Sequence, residues 1–208
     1  MKRLIYSLTA MLLTVTAAAQ HNTGYKRFES NLQLGAGLFL ESGDMAWGEN
    51  PGATLFLSYG LDVRLSDQWS VMPGGGIRFQ RGQIDRINND GSDPDRMCLA
   101  DVFVSARYHL SSDGAGIVVG LGPAFSFDTC HDTYFIDAYP SDPVNGKEKF
   151  RRCDIGLRPS ITFLNGEHFQ WGFEGNIGLL NVMRQYPESG HTGSIHAHYL
   201  AVTCGWRF

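Results

Sequence analysis

From about residue 30 onward, apolar residues alternate with polar or small ones at a period of two, the signature of half-buried strands. The clearest run sets Leu55, Leu57, Tyr59, Leu61, Val63 and Leu65 against Thr54, Phe56, Ser58, Gly60, Asp62 and Arg64. The last run repeats it, with Leu200, Val202, Cys204, Trp206 and Phe208 against Tyr199, Ala201, Thr203, Gly205 and Arg207. The pattern predicts eight strands, over about 31–40, 53–65, 69–80, 97–110, 115–127, 150–163, 169–181 and 195–208. Each run is roughly 9–13 residues long, enough to cross a bilayer when tilted.

Three of the connections are tight and rich in turn formers: Ser66-Asp67-Gln68, Ser111-Ser112-Asp113-Gly114 and Asn165-Gly166-Glu167. Four are long, at about 41–52, 81–96, 128–149 and 182–194. Short turns at one end and long loops at the other match outer-membrane barrels, whose long loops face outward. An even strand number returns both termini to the periplasmic end. Pro73, Pro123 and Pro159 each fall inside a predicted strand, where a missing donor implies a bulge or a local break. No linker, composition break or internal repeat divides the chain.

Period two alone does not say which face points inward, and a soluble lipocalin-like barrel would hide its apolar face. Three features favour lipid. The four lysines, Lys2, Lys26, Lys147 and Lys149, all lie outside the predicted strands. Trp69, Tyr108, Phe163, Phe169, Trp171, Trp206 and Phe208 gather on the apolar face near the short turns, as an interfacial girdle would. The other face mixes Asp62, Arg64, Arg78, Asp101, Arg107, Asp154, Arg158, Glu174 and Arg207 with glycines. An eight-stranded barrel has room inside only for side chains, and Gly116, Gly120 and Gly122 would make space there for arginines.

Composition narrows the class further. The 208 residues are 43% hydrophobic and 12% aromatic, too apolar for a disordered chain. Charged residues make up 18%, below the roughly 25% of soluble domains. No apolar run of about 18 residues follows the N-terminus, which removes a helical membrane protein. Met1-Lys2-Arg3, the apolar Leu4 to Val15 stretch and Ala17-Ala18-Ala19 before Gln20 have the layout of a secretory signal peptide over residues 1–19. Residues 20–208 then form the barrel domain, with 15 basic and 21 acidic residues, the wrong balance for nucleic acid. Export frames the four cysteines, whose spacing fits no zinc or redox motif. A bridge joining Cys130 to Cys98 or to Cys153 and a set of free thiols both remain open.

The signal segment, the eight amphipathic runs and the Tyr199–Phe208 strand ending in Phe resemble small outer-membrane β-barrels of Gram-negative bacteria. These are the OmpX/OmpA-like, "porin family" barrel domains. The resemblance spans nearly all of residues 20–208 and rests on pattern. It implies an all-β fold, an eight-stranded antiparallel transmembrane up-and-down β-barrel in the outer membrane, with no cofactor. It also implies contact with membrane lipid and lipopolysaccharide. Tyr199, Trp206 and Phe208 would form the terminal signal read by the barrel-assembly machinery.

Little in the sequence points to chemistry. The inward charges could line an ion path, but eight strands favour a plug of mutually paired charges. His196 and His198 share one strand face without a third ligand in sequence. The Asn88 to Asp95 stretch is acidic but lacks EF-hand spacing. Gly74-Gly75-Gly76 precedes no helix, so it is no phosphate loop. Lipid A deacylases of this size use a His-x-Ser pair with a carboxylate, whereas here Leu200 stands two residues after His198. In loop 128–149, His131, Tyr134, Phe135, Tyr139 and Lys147 make an aromatic and basic contact surface toward an unspecified extracellular partner. The expectation is a non-catalytic structural or surface-interaction protein. A lipid A-modifying enzyme and a secreted lipocalin-like binder are the alternatives.

Overall fold

A computed structural model of the chain describes residues 28–44, 51–82, 96–110, 116–131, 151–187 and 193–208. The targeting segment 1–19, the acidic stretch 88–95 and most of loop 128–149 lie outside the described residues. Eight strands follow one another: β1 (Phe28–Ser42), β2 (Gly52–Arg64), β3 (Trp69–Arg81), β4 (Arg96–His109), β5 (Gly116–His131), β6 (Cys153–Asn165), β7 (Phe169–Gly178) and β8 (His196–Arg207). Each pairs antiparallel with the next, and β8 returns to β1, so the sheet closes as a barrel. Leu34, for example, faces Leu57 on one side and Cys204 on the other.

The polarity is the reverse of a soluble barrel. Leu34, Leu57, Val102, Leu121, Val202 and their neighbours at alternate positions are exposed on the outside. Asn31, Thr54, Asp62, Arg78, Arg107, Arg158, Glu174 and Thr203 are buried within. A continuous apolar exterior far exceeds the few hundred Å² that a water-soluble monomer tolerates. It is matched to hydrocarbon, and this removes the lipocalin-like alternative. At the short-turn end Trp69 meets Tyr108 edge-on at 5.0 Å, Phe163 stacks on Trp171 at 4.4 Å, and His168 stacks on Trp206 at 5.3 Å. These rings form the aromatic belt read in the sequence.

Each of the three prolines sits beside a lapse in one ladder. Pairing skips two positions between Gly60↔Gly74 and Val63↔Val71, next to Pro73. It does so again between Phe103↔Ala124 and Ala106↔Leu121, next to Pro123, and between Leu157↔Ile177 and Ser160↔Glu174, next to Pro159. The pyrrolidine nitrogen has no hydrogen to donate, yet the register resumes unchanged after each lapse. They are local breaks, not bulges. The register shift in β4–β5 falls elsewhere, between Cys98 and Leu99, where Thr129 is the extra residue of β5.

Four strand ends fall three or more residues from the sequence pattern. Two of them are the early start of β1 at Phe28 and the late start of β6 at Cys153. β5 runs on to His131, and β7 stops at Gly178 although apolar residues continue past it. The reason is Asn181, whose Oδ1 accepts the backbone N–H groups of Met183 and Ile195, both at 3.0 Å. These bonds interrupt the regular ladder after Gly178, and Val182 and Met183 are buried.

Placing a charge on the outer face at mid-height tests this polarity. Leu57→Arg is expected to destabilise the membrane-inserted barrel by about 2–4 kcal/mol in urea titrations with lipid vesicles. The same substitution would leave a water-facing strand nearly unaffected.

Candidate functional site

Among the described residues, buried charge is concentrated in the lumen, and strand alternation delivers it there. Three ion-pair groups cross it. Arg107 on β4 reaches over β3 to Asp62 on β2, with its Nη1 3.4 Å from Met72 Sδ. Arg78 on β3 grips Asp101 on β4 with two bonds, Nε to Oδ2 at 2.8 Å and Nη2 to Oδ1 at 3.1 Å, and also donates to Ser126 Oγ at 2.8 Å. Arg158 on β6 lies 2.7 Å from Glu174 Oε1 on β7, which also accepts the Tyr199 hydroxyl at 2.8 Å. Forked and shared contacts of this kind hold charges that would be costly to leave unpaired.

Aromatic rings complete the packing. The Arg158 guanidinium stands 3.7 Å from the Phe103 ring centre and 5.8 Å from that of Phe56, while Arg78 stacks on Tyr199 at 4.8 Å. The Phe103 ring fits because its neighbour is Gly74: a Cβ there would stand 2.7 Å from Phe103 Cε2. Gly120, expected to make room for an arginine, lies beside Arg107 Cγ. What remains empty among Gln33, Met72, Arg107, Arg158, Gln170 and Glu174 is about 10 Å³, the room of one water.

Other predicted lumen residues sit toward the ends. Arg207 donates to the Gly166 carbonyl at 2.6 Å and pairs with Glu29 at 3.5 Å. Arg64 bonds its own turn, at Asp67 O, 3.2 Å away. Asp154 is buried near the outer end, beside Gly178. Glu29, His109 and the lumen role of Tyr199 escaped sequence reading. His109, which meets Ser70 Oγ at 2.8 Å, and Glu29 lie at the ends of their runs, where alternation fades. Tyr199 points into the lumen, so of the three terminal-strand residues only Trp206 and Phe208 face lipid.

At the opposite end from the short turns, apolar side chains cluster among the described residues. Phe39, Val182, Met183, Ile195 and Ala197 pack together, with Met97 against them. Backbone bonds from Arg151 N to Val182 O (2.7 Å) and from Val182 N to Ile195 O (2.9 Å) tie the segment after β7 to the residues that lead into β6 and β8. Asn181 and Gln185 side chains both donate to Gly193 O. Nothing in the sequence period distinguishes these apolar residues from a continuing strand.

The outer surface does carry a Ser–His pair at the outer rim. Ser42 Oγ on β1 lies 2.7 Å from His198 Nε2 on β8. The backbone N–H of Gly178 donates to His198 Nδ1 at 3.2 Å, so in the neutral ring Nδ1 is the acceptor and the proton sits on Nε2. Nε2 therefore donates to Ser42 and is not the base a nucleophilic serine needs. Nδ1, which a triad would tie to a carboxylate, is occupied by a peptide N–H. Among the described residues, no three His, Cys, Asp or Glu side chains lie together as a metal site, His196 and His198 included. Of the loop surface, His131 ends β5, while Tyr134, Phe135, Tyr139 and Lys147 lie outside the described residues.

No protein-family model matches the chain, and no curated protein does. Solved structures do match. Neisserial surface protein A (NspA) aligns with TM-score 0.51 at 13% identity, over 89% of this chain and all of that one. Ail, the attachment invasion locus protein of Yersinia pestis, aligns with TM-score 0.50 at 13% identity, over 88% of this chain and all of that one. At such identity the likeness is one of fold. The chain is a closed eight-stranded antiparallel barrel with an apolar exterior, and in fold it is similar to these two surface proteins.

The lumen account predicts a sharp asymmetry. Glu174→Ala strands the Arg158 charge and should cost about 3–5 kcal/mol in unfolding free energy. Replacing both partners, as Arg158→Met with Glu174→Leu, should cost much less. Equal losses in the two variants would show that the pair is not what fills the lumen.

Proposed function

We propose that the protein is a non-conducting, non-catalytic outer-membrane barrel that works through its extracellular loops. The observation that carries this reading is the double closure of its interior. Ion pairs and rings occupy the mid-lumen, and an apolar lid of Val182, Met183 and Ile195 packs at its outer end. A barrel with a filled bore has only its ends and its lipid face with which to act. The lipid-facing Ser42–His198 pair has the wrong proton arrangement for acyl hydrolysis, which weighs against the lipid A enzyme.

The ends then matter most. The long connections leave the rim opposite the short turns, and the 128–149 stretch contains His131, Tyr134, Phe135, Tyr139 and Lys147. Aromatic rings beside a lysine suit a protein or glycan surface. That the fold hosts a surface protein named for attachment, Ail, supports a contact role of this type. The exterior would contact lipid and lipopolysaccharide, and the Trp206 and Phe208 face of β8 is the surface offered to the assembly machinery.

Two measurements bear on this. Purified protein in planar bilayers is expected to give no stable conductance steps, and a steady ohmic conductance would overturn the plugged lumen. Deleting residues 132–147 should leave the heat-modifiable folded band intact while abolishing binding to cells, extracellular matrix or partner proteins. Unchanged binding by the folded deletion variant would remove the loop from the proposal.

A further inference from the structure

We propose that Cys98 and Cys130 form a disulfide across the outer ends of β4 and β5. The two are direct partners in the antiparallel ladder. Direct partners present their side chains on the same face, with Cα atoms about 4.5–5.5 Å apart. That separation lies inside the roughly 4.4–6.8 Å window of disulfides.

The bulge creates this alignment. From Leu99↔Asp128 downward the ladder keeps one register, and its continuation would set Cys98 opposite Thr129. Thr129 is instead the inserted residue, and its hydroxyl donates to the Cys98 carbonyl at 2.7 Å. The insertion advances β5 by one position and brings Cys130 level with Cys98.

Register also decides between the two pairings that the sequence left open. Cys153 stands opposite Phe127, three residues down the strand from Cys130. Three residues are on the order of 10 Å of strand, beyond the ~7 Å limit for bridging without backbone movement. Cys204 sits far from both, on the lipid face between Leu34 and Trp171.

In the structure Cys98 is a free, half-buried thiol. Both ends of an outer-membrane barrel face oxidising space. One thiolate attacks a sulfur of an exported protein disulfide and forms a mixed disulfide. The second thiolate then displaces the oxidant's sulfur. Two thiols thus lose two protons and two electrons, and the oxidant leaves as a dithiol. The bond would pin a seam weakened twice, by the lapse beside Pro123 and by the bulge. From this seam the 82–95 and 132–152 connections emerge, and the bond is independent of whatever those loops bind.

The test is peptide mapping of the folded protein taken from outer membranes, alkylated with iodoacetamide in denaturant without reductant. The expected result is a Cys98 peptide joined to a Cys130 peptide, lighter by two hydrogens than the two thiols together. Cys153 and Cys204 should be alkylated. The Cys153→Ser variant should keep the linkage, and Cys130→Ser should convert Cys98 from unreactive to fully alkylated. Alkylation of both Cys98 and Cys130 in unreduced protein that runs as a heat-modifiable band, or a Cys130–Cys153 linkage, would overturn the proposal.

Discussion

Hydrocarbon offers no hydrogen-bond partner, so a strand that crosses a bilayer must satisfy its backbone against other strands on both sides. Every other feature of this chain follows from that requirement. It forces β8 back onto β1, because an open edge in lipid would leave a row of donors and acceptors unmet. It sets the period of two, since each strand must show lipid and lumen alternately. It also makes the prolines conspicuous. Pro73, Pro123 and Pro159 each coincide with a two-position lapse in one neighbouring ladder, and in each case the register survives. Pairing along the rest of these long strands is enough to carry an isolated lapse.

Closure at eight strands then dictates the interior. The bore is too narrow for a channel once side chains enter, and the inward positions are polar because the apolar ones are committed to lipid. Charges placed there must find each other. Arg78 with Asp101, Arg107 with Asp62, and Arg158 with Glu174 do so across neighbouring or next-neighbouring strands. The flat guanidinium of Arg158 also lies on the Phe103 ring, so one side chain serves as ion-pair partner and as packing. Gly74 and Gly35 make this possible by leaving their lumen positions empty for Phe103 and Phe56.

How much of this could be read from residues alone depended on whether the signal was periodic. Leu55 to Leu65 and Leu200 to Phe208 declared their strands because alternation holds over a whole crossing. Parity put nine charges on the inner face, and Asp62, Arg78, Arg107, Asp154, Arg158, Glu174 and Arg207 are buried. Parity could not say that Arg64 would bond its own turn while Arg107 reached across β3 to Asp62, since partner choice is set by stagger between strands. It did set Tyr199 on the inner face, but not the partners it finds there, Glu174 and Arg78. The lid was invisible because Leu179 to Met183 look like more strand. The Asn181 side chain captures two backbone donors there, and of this stretch only Val182 and Met183 are buried. The pairing of Cys98 with Cys130 depends on one inserted residue, which no period reports.

The central claim is that the apolar face meets lipid, and the tryptophans can report on it directly. Trp69, Trp171 and Trp206 lie exposed on that face at the short-turn belt. Reconstituted into vesicles whose acyl chains carry bromine near the headgroup, the protein should lose most of its tryptophan emission relative to unlabelled vesicles. Unquenched emission, with the protein recovered in the aqueous phase, would contradict the account and turn the apolar face into the lining of a soluble cavity.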